Sequence, residues 1–177
     1  MQDMQSLQNV SAQTLYWVQP KWGKPIYELR SRENLLSTLR WSTRIEYDPV
    51  YIISADGQWT VTYHWPWTVR IMKEEHEVGI FKFKKARPFL FDGTLQFVNG
   101  VKFLWQNNKY YSSRWVFSND DGVNLIYFKP IKVLSFKLTI QVDLTQMVRD
   151  LPEASLLAGF GLYLWIRVNG ASSSWMP

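Results

Sequence analysis

A chain of 177 residues, 46% hydrophobic and 16% aromatic, is long enough to bury one sizeable core, and this composition excludes a disordered chain. It holds no cysteine, which excludes a disulfide framework, a thiolate zinc site and a cysteine nucleophile. Twenty basic against 15 acidic residues leave a net charge of +5, a bias that assists contact with anionic lipid or nucleic acid and equally serves solubility. Residues 1–14 are rich in Gln, Ser and Asn, show no period, and read as a poorly ordered N-terminal segment or an edge extension. They lack the charged and apolar regions of a signal peptide.

From residue 15 onward, turn signals punctuate the chain: Asp56-Gly57, Asp92-Gly93, Asn99-Gly100, Asn107-Asn108 and Asp121-Gly122. The stretches between them alternate. Trp59, Val61 and Tyr63 oppose Gln58, Thr60 and Thr62, and Val69 and Ile71 oppose Thr68 and Arg70. Val101, Phe103 and Trp105 oppose Lys102 and Gln106, with Leu104 breaking the pattern. Period two predicts strands with one face in a core. Near Gly79 the phase slips from Val78 and Ile80 to Phe81 and Phe83, which predicts a β-bulge. Ile53-Ser54-Ala55-Asp56-Gly57 is weakly echoed by Phe117-Ser118-Asn119-Asp120-Asp121-Gly122, too loosely to establish a duplication.

A further alternating strand, Phe136 to Val142, leads into Leu156 to Ile166, which is apolar on every side. A helix that is hydrophobic all round must be buried in protein or in lipid. Ala154 to Ile166 is only 13 residues, about 20 Å of helix against a hydrocarbon core of about 30 Å. The segment is therefore read as a helix wrapped by β-structure, with Pro152 at its start and Arg167 complementing the dipole at its end. Gly159 and Gly161 lower helix propensity by about 1 kcal/mol each and fit a helix that strands approach closely. Many antiparallel strands at this spacing mean a sandwich or a barrel, and the buried helix favours the barrel, whose closure removes the strand edges. Residues 169–177 read as a loose C-terminal tail, with Trp175 able to tuck back.

These strand–Asp-Gly–strand units, the alternating strand at 136–142 and the closing helix from Pro152 to Ile166 resemble the tubby C-terminal-like superfamily, which includes LURP-one-related proteins and phospholipid scramblases. The resemblance spans roughly residues 15 to 167 and is one of pattern. It implies a mainly β fold: a closed antiparallel β-barrel of about twelve strands around a central hydrophobic C-terminal α-helix, as a single domain over 15–168. No tubby phosphoinositide motif or scramblase calcium motif maps onto individual residues, so the fold carries over better than any activity.

Few residues offer chemistry. His64, in Tyr63-His64-Trp65-Pro66-Trp67, reads as a structural or exposed histidine at a strand end. His76 sits among Glu74, Glu75 and Glu77, where adjacent strand residues point to opposite faces and no second spaced histidine completes a zinc site, so it reads as a polar hairpin tip. Ser118 to Gly122 lacks the spaced ligands and distant glutamate of a calcium loop and reads as a turn. No phosphate loop, dinucleotide fingerprint or nucleophile elbow is present. No catalytic residue, metal site or cofactor is therefore assigned. Of the ten tryptophans, Trp59 and Trp105 fall on the apolar phase of their strands, whereas Trp17, Trp22, Trp65 and Trp67 lie near turns and are the candidates for a functional surface.

The most distinctive charged stretch is Lys82-Phe83-Lys84-Lys85-Ala86-Arg87. Lys82 and Lys84 share a strand face opposite Phe81 and Phe83, and Lys85 and Arg87 continue into the loop before Pro88. Four cations this close suit a phosphate-bearing headgroup, at about 1 kcal/mol each near an anionic membrane. The competing reading is a solvated strand face that blunts aggregation. The leading expectation is a non-enzymatic module, cytoplasmic and peripheral at the membrane, that binds anionic phospholipids through Lys82, Lys84, Lys85 and Arg87. The alternatives are a protein-interaction barrel with no small ligand and a nucleic-acid binder, with an enzyme last. An integral membrane protein is not expected.

Overall fold

The computed structural model describes residues 4–11, 14–21, 24–32, 34–42, 49–84, 92–108, 114–131 and 138–169. Twelve strands follow in chain order: β1 (Thr14–Val18), β2 (Ile26–Ser31), β3 (Asn34–Trp41), β4 (Val50–Ser54), β5 (Gly57–His64), β6 (Thr68–Lys73), β7 (His76–Phe83), β8 (Gly93–Phe97), β9 (Lys102–Asn108), β10 (Arg114–Asn119), β11 (Asn124–Pro130) and β12 (Thr139–Leu144). Each pairs antiparallel with its neighbours in sequence, and β12 returns to pair with β1. The result is a closed up-and-down barrel without a free edge, as the alternation and the apolar helix predict.

Because the strands alternate in direction, the connections fall at two rims. The lower rim carries the tight β4–β5 and β6–β7 turns, and the upper rim carries the three-residue β5–β6 turn. After β12 the chain makes a one-turn helix, α1 (Gln146–Arg149), and then α2 (Ala154–Asn169). The second helix enters at the lower rim and runs through the barrel, with every residue from Ala154 to Leu164 buried. Having no polar stripe, it has no face to give to water, and the strands supply an apolar lining all round it. The Trp17 indole N–H of β1 donates to the Ala158 carbonyl at 3.2 Å. Phe160 lies 5.4 Å from Phe81 of β7 and 6.3 Å from Phe117 of β10, centroid to centroid. Such pairs add about 0.5–1.5 kcal/mol each beyond the area they bury. No helix among the described residues is long and apolar enough to cross a membrane.

The bulge expected at Gly79 is present one residue earlier. Ile71 pairs with Gly79 but Met72 with Glu77, leaving Val78 extra on β7. Equivalent shifts occur between β2 and β3 and between β10 and β11, so one recurs every four strands around the wall. Each bulge increases local twist and bends its strand, which distributes the curvature that closure needs. The extra residues at these shifts, Leu36 and Leu125, join the core beside a second buried residue each, Leu35 and Ile126, a departure from period two that the sequence pattern hides.

Several local expectations are corrected. The N-terminal segment read as poorly ordered is packed over its described part. Leu7, in a 3-10 turn (Leu7–Asn9), and Val10 are both buried, and the Gln5 amide donates to the Leu35 carbonyl at 3.1 Å. Two apolar residues in a polar stretch carry too little period to be read, yet they cover the barrel mouth. Asp56, in the β4–β5 turn, ties this cover down: it accepts from the Ser6 hydroxyl at 2.6 Å and from the Ser155 hydroxyl at the start of α2. Asn107 and Asn108 lie within β9 rather than in a turn, and Gly93 opens β8, where the Phe81 ring occupies the space a side chain would need. Val101, expected on a core face, is an exposed turn residue. The helix starts at Ala154 rather than Pro152 and continues to Asn169, so the expected tail at 169 begins inside it. Residues 170–177, Trp175 among them, and the Phe136-Lys137 start of the last strand lie outside the described residues.

Candidate functional site

The basic stretch sits at the upper end of β7. Phe81 and Phe83 point inward and meet edge to face, with centroids 4.8 Å apart, so Lys82 and Lys84 face outward, and both are exposed. Core burial of the two phenylalanines thus sets the display of the two lysines, since side chains alternate across a strand. Lys82 is flanked by Thr68 on β6 and Thr94 on β8, neutral neighbours that leave its charge to solvent. Just past the strand, the Lys84 amide donates to the Asp92 carbonyl at 2.8 Å, fixing the backbone where β7 and β8 part. Among the described residues neither lysine takes part in an ion pair. The ion pair on this wall, Arg70 with Glu77 at 3.5 Å, is exposed and contributes little. Lys85 and Arg87, the other two expected headgroup contacts, lie outside the described residues.

Beside these lysines stands the β5–β6 turn, Trp65-Pro66-Trp67, joined to β7 by the Phe83 amide donating to the Trp67 carbonyl at 3.1 Å. Trp65 is 82% exposed and Trp67 is 46% exposed. The Trp65–Pro66 peptide is cis. The Tyr63 hydroxyl donates to the Pro66 carbonyl at 2.7 Å, and the Arg167 guanidinium at the end of α2 lies 3.7 Å from the Tyr63 ring centroid. Arg167 also hydrogen-bonds Tyr163, whose phenol burial pushes up to about 12 while the guanidinium pulls it down. The end of the buried helix is therefore connected through Tyr63 to the exposed tryptophans.

Of the four tryptophans expected near a surface, Trp65 and Trp67 are there. Trp17 is fully buried, because it shares the inward phase of β1 with Leu15, and Trp22 lies outside the described residues. Trp59 and Trp105 are core residues, as their phase predicts. His64 is exposed at the end of β5, and His76 is exposed just after the Glu74-Glu75 tip. Among the described residues no three His, Asp or Glu side chains gather to hold a metal ion. The association of Arg167 with Tyr63 was not foreseen, since the two are 104 positions apart and only the length of the helix brings them to one rim. A polar pocket at the lower rim, lined by Gln8, Gln146, Arg149 and Asp150, was likewise not foreseen, because it sets Gln8, from the segment read as poorly ordered, against α1. Comparison of the chain with protein-family models, with curated proteins and with solved structures returned no match.

Proposed function

We propose that this chain is a non-enzymatic, tubby-like binding module that recognises anionic phospholipid headgroups through the basic face at the end of β7, working at the cytoplasmic surface of a membrane. The observation that carries the reading is the pair Lys82 and Lys84: exposed, on one face and outside the described ion pairs, with Lys82 flanked by threonines. Two such lysines, extended in sequence by Lys85 and Arg87, attract an anionic surface at about 1 kcal/mol per cation. The closed twelve-stranded wall around a buried helix is the architecture that the superfamily resemblance implies, and it favours a rigid display of surface groups over an enclosed active site.

Flotation of the full chain with phosphatidylserine-containing liposomes tests the reading. Replacing Lys82, Lys84, Lys85 and Arg87 together with Gln should weaken binding while leaving the melting temperature nearly unchanged, since surface substitutions usually shift stability by no more than about 0.5 kcal/mol. Binding should also fade with salt, as the Debye length shrinks from about 10 Å at 0.1 M to about 3 Å at 1 M. Indifference to both charge removal and salt refutes the headgroup reading. Silence toward liposomes and oligonucleotides alike would favour a protein-interaction barrel.

A further inference from the structure

We infer that the upper rim docks end-on against an anionic membrane, with Trp65 and Trp67 seated in the headgroup layer and the lower rim facing the cytosol. This rests on the lipid reading above and adds to it a contact surface, an apolar component and an orientation. Three observations meet at this rim. The first is that two tryptophans on one three-residue turn keep much of their surface in water, at 82% and 46% exposure. Single exposed apolar residues need no explanation, but two large aromatic rings on one hairpin tip form a patch. Tryptophan favours the membrane interface because one end of the ring system is apolar and the other carries an N–H.

The second observation is that the turn is held in place. Tyr63 bonds the Pro66 carbonyl, Arg167 covers the Tyr63 ring, and Phe83 bonds the Trp67 carbonyl. A display already ordered in the free protein loses little entropy when it binds.

The third is charge. Lys21, Lys24, Arg40, Lys84, Arg114 and Lys129 all lie in, or within two residues of, connections at the upper rim, where Asp92 is the only carboxylate among the described residues. At the lower rim the balance reverses: Asp56, Glu74, Glu75, Asp120, Asp121 and Asp150 help carboxylates outnumber cations among the described residues. Val98, Val101, Val123 and Met147 are also exposed at that end, but an anionic surface repels a rim where carboxylates are in excess. The barrel is therefore polarised along its axis, and its basic end carries the tryptophans. A single-stranded nucleic acid would call for a groove that tracks its backbone beside a stacking platform, whereas these rings stand at a turn tip.

The test uses the full chain with vesicles of phosphatidylcholine and phosphatidylserine at 3:1, some made with phosphatidylcholine brominated near the headgroup end of its acyl chains. Bromine should quench part of the wild-type tryptophan emission, because only rings that enter the interface meet it. The variant W65A/W67A should lose that quenching and bind about tenfold more weakly, with an unchanged circular dichroism spectrum. Wild-type binding without quenching, or W65A/W67A binding as tightly as wild type while K82Q/K84Q binds more weakly, would overturn the inference and leave the headgroup reading standing. Failure of the wild type to bind these vesicles at all would end both. Loss of oligonucleotide rather than vesicle binding in W65A/W67A would overturn the membrane assignment in favour of base stacking. The wild-type quenching measurement needs no variant to fold.

Discussion

Substituting Gly161 with Ala sets two effects of opposite sign against each other. In an isolated helix the change stabilises by about 1 kcal/mol, because alanine has less backbone freedom to lose. Inside this barrel the added methyl would fall on the Phe128 ring of β11, at a separation well below the 3.0 Å that real contacts respect. Phe128 has no exposed surface and is wedged between Trp105, with centroids 5.3 Å apart, and Phe117, at 6.2 Å, so it has nowhere to swing. Overpacking of this kind costs about 1–3 kcal/mol, so after the helix-propensity gain the expected net effect is a loss of up to about 2 kcal/mol. The decisive measurement is a double-mutant cycle by urea denaturation. Phe128→Leu shortens the side chain that the methyl meets, and in that background Gly161→Ala should become neutral or stabilising. A sign change between backgrounds isolates the contact from the propensity term. If Gly161→Ala stabilised the wild-type chain, the packing of α2 against β11 would be refuted.

Gly161→Asp should unfold the domain, since a buried carboxylate without a partner costs several kcal/mol, and a wild-type melting temperature would contradict the buried helix. Asp56→Ala removes the acceptor for the Ser6 and Ser155 hydroxyls, and hydrogen bonds to a charged group contribute about 1.5–3 kcal/mol each. The melting temperature should fall, and amide exchange at Leu7 to Val10 should quicken; unchanged exchange would detach the N-terminal cover from Asp56. Burial raises the phenols of Tyr27 and Tyr163 from 10.0 to about 12. Their neutral forms are favoured in the fold, so stability is full below pH 10 and falls as pH rises toward 12, by about 3 kcal/mol per tyrosine at most. Melting curves from pH 9 to 12 should show this fall, flattened in Tyr27→Phe and Tyr163→Phe; equal slopes in the variants would assign the fall to other groups.

What the amino-acid order determined by itself was the fold class, because two patterns in it have few structural solutions. Period-two stretches such as Gln58 to Tyr63 must place one face in a core, and an apolar helix too short for a bilayer must be enclosed by protein. Together they require strands closed around a helix. The outward display of Lys82 and Lys84 followed from the same alternation, because Phe81 and Phe83 demand burial. Trp17 is buried despite its nearness to a turn, because it shares the inward phase of β1 with Leu15, and the bulges at Leu36 and Leu125 are hidden in the sequence because one extra residue resets the period. The N-terminal cover was invisible for another reason: Leu7 and Val10 gain their burial from a barrel mouth assembled by residues far along the chain. Only the tertiary structure decided which groups share a rim. Among the described residues, strand direction leaves cations in excess at the end that carries the Trp65-Pro66-Trp67 turn and carboxylates in excess at the other, and the span of α2 carries Arg167 onto Tyr63. Alternation along a strand is a local property of the backbone, whereas polarity along a barrel axis exists only once the strands have closed.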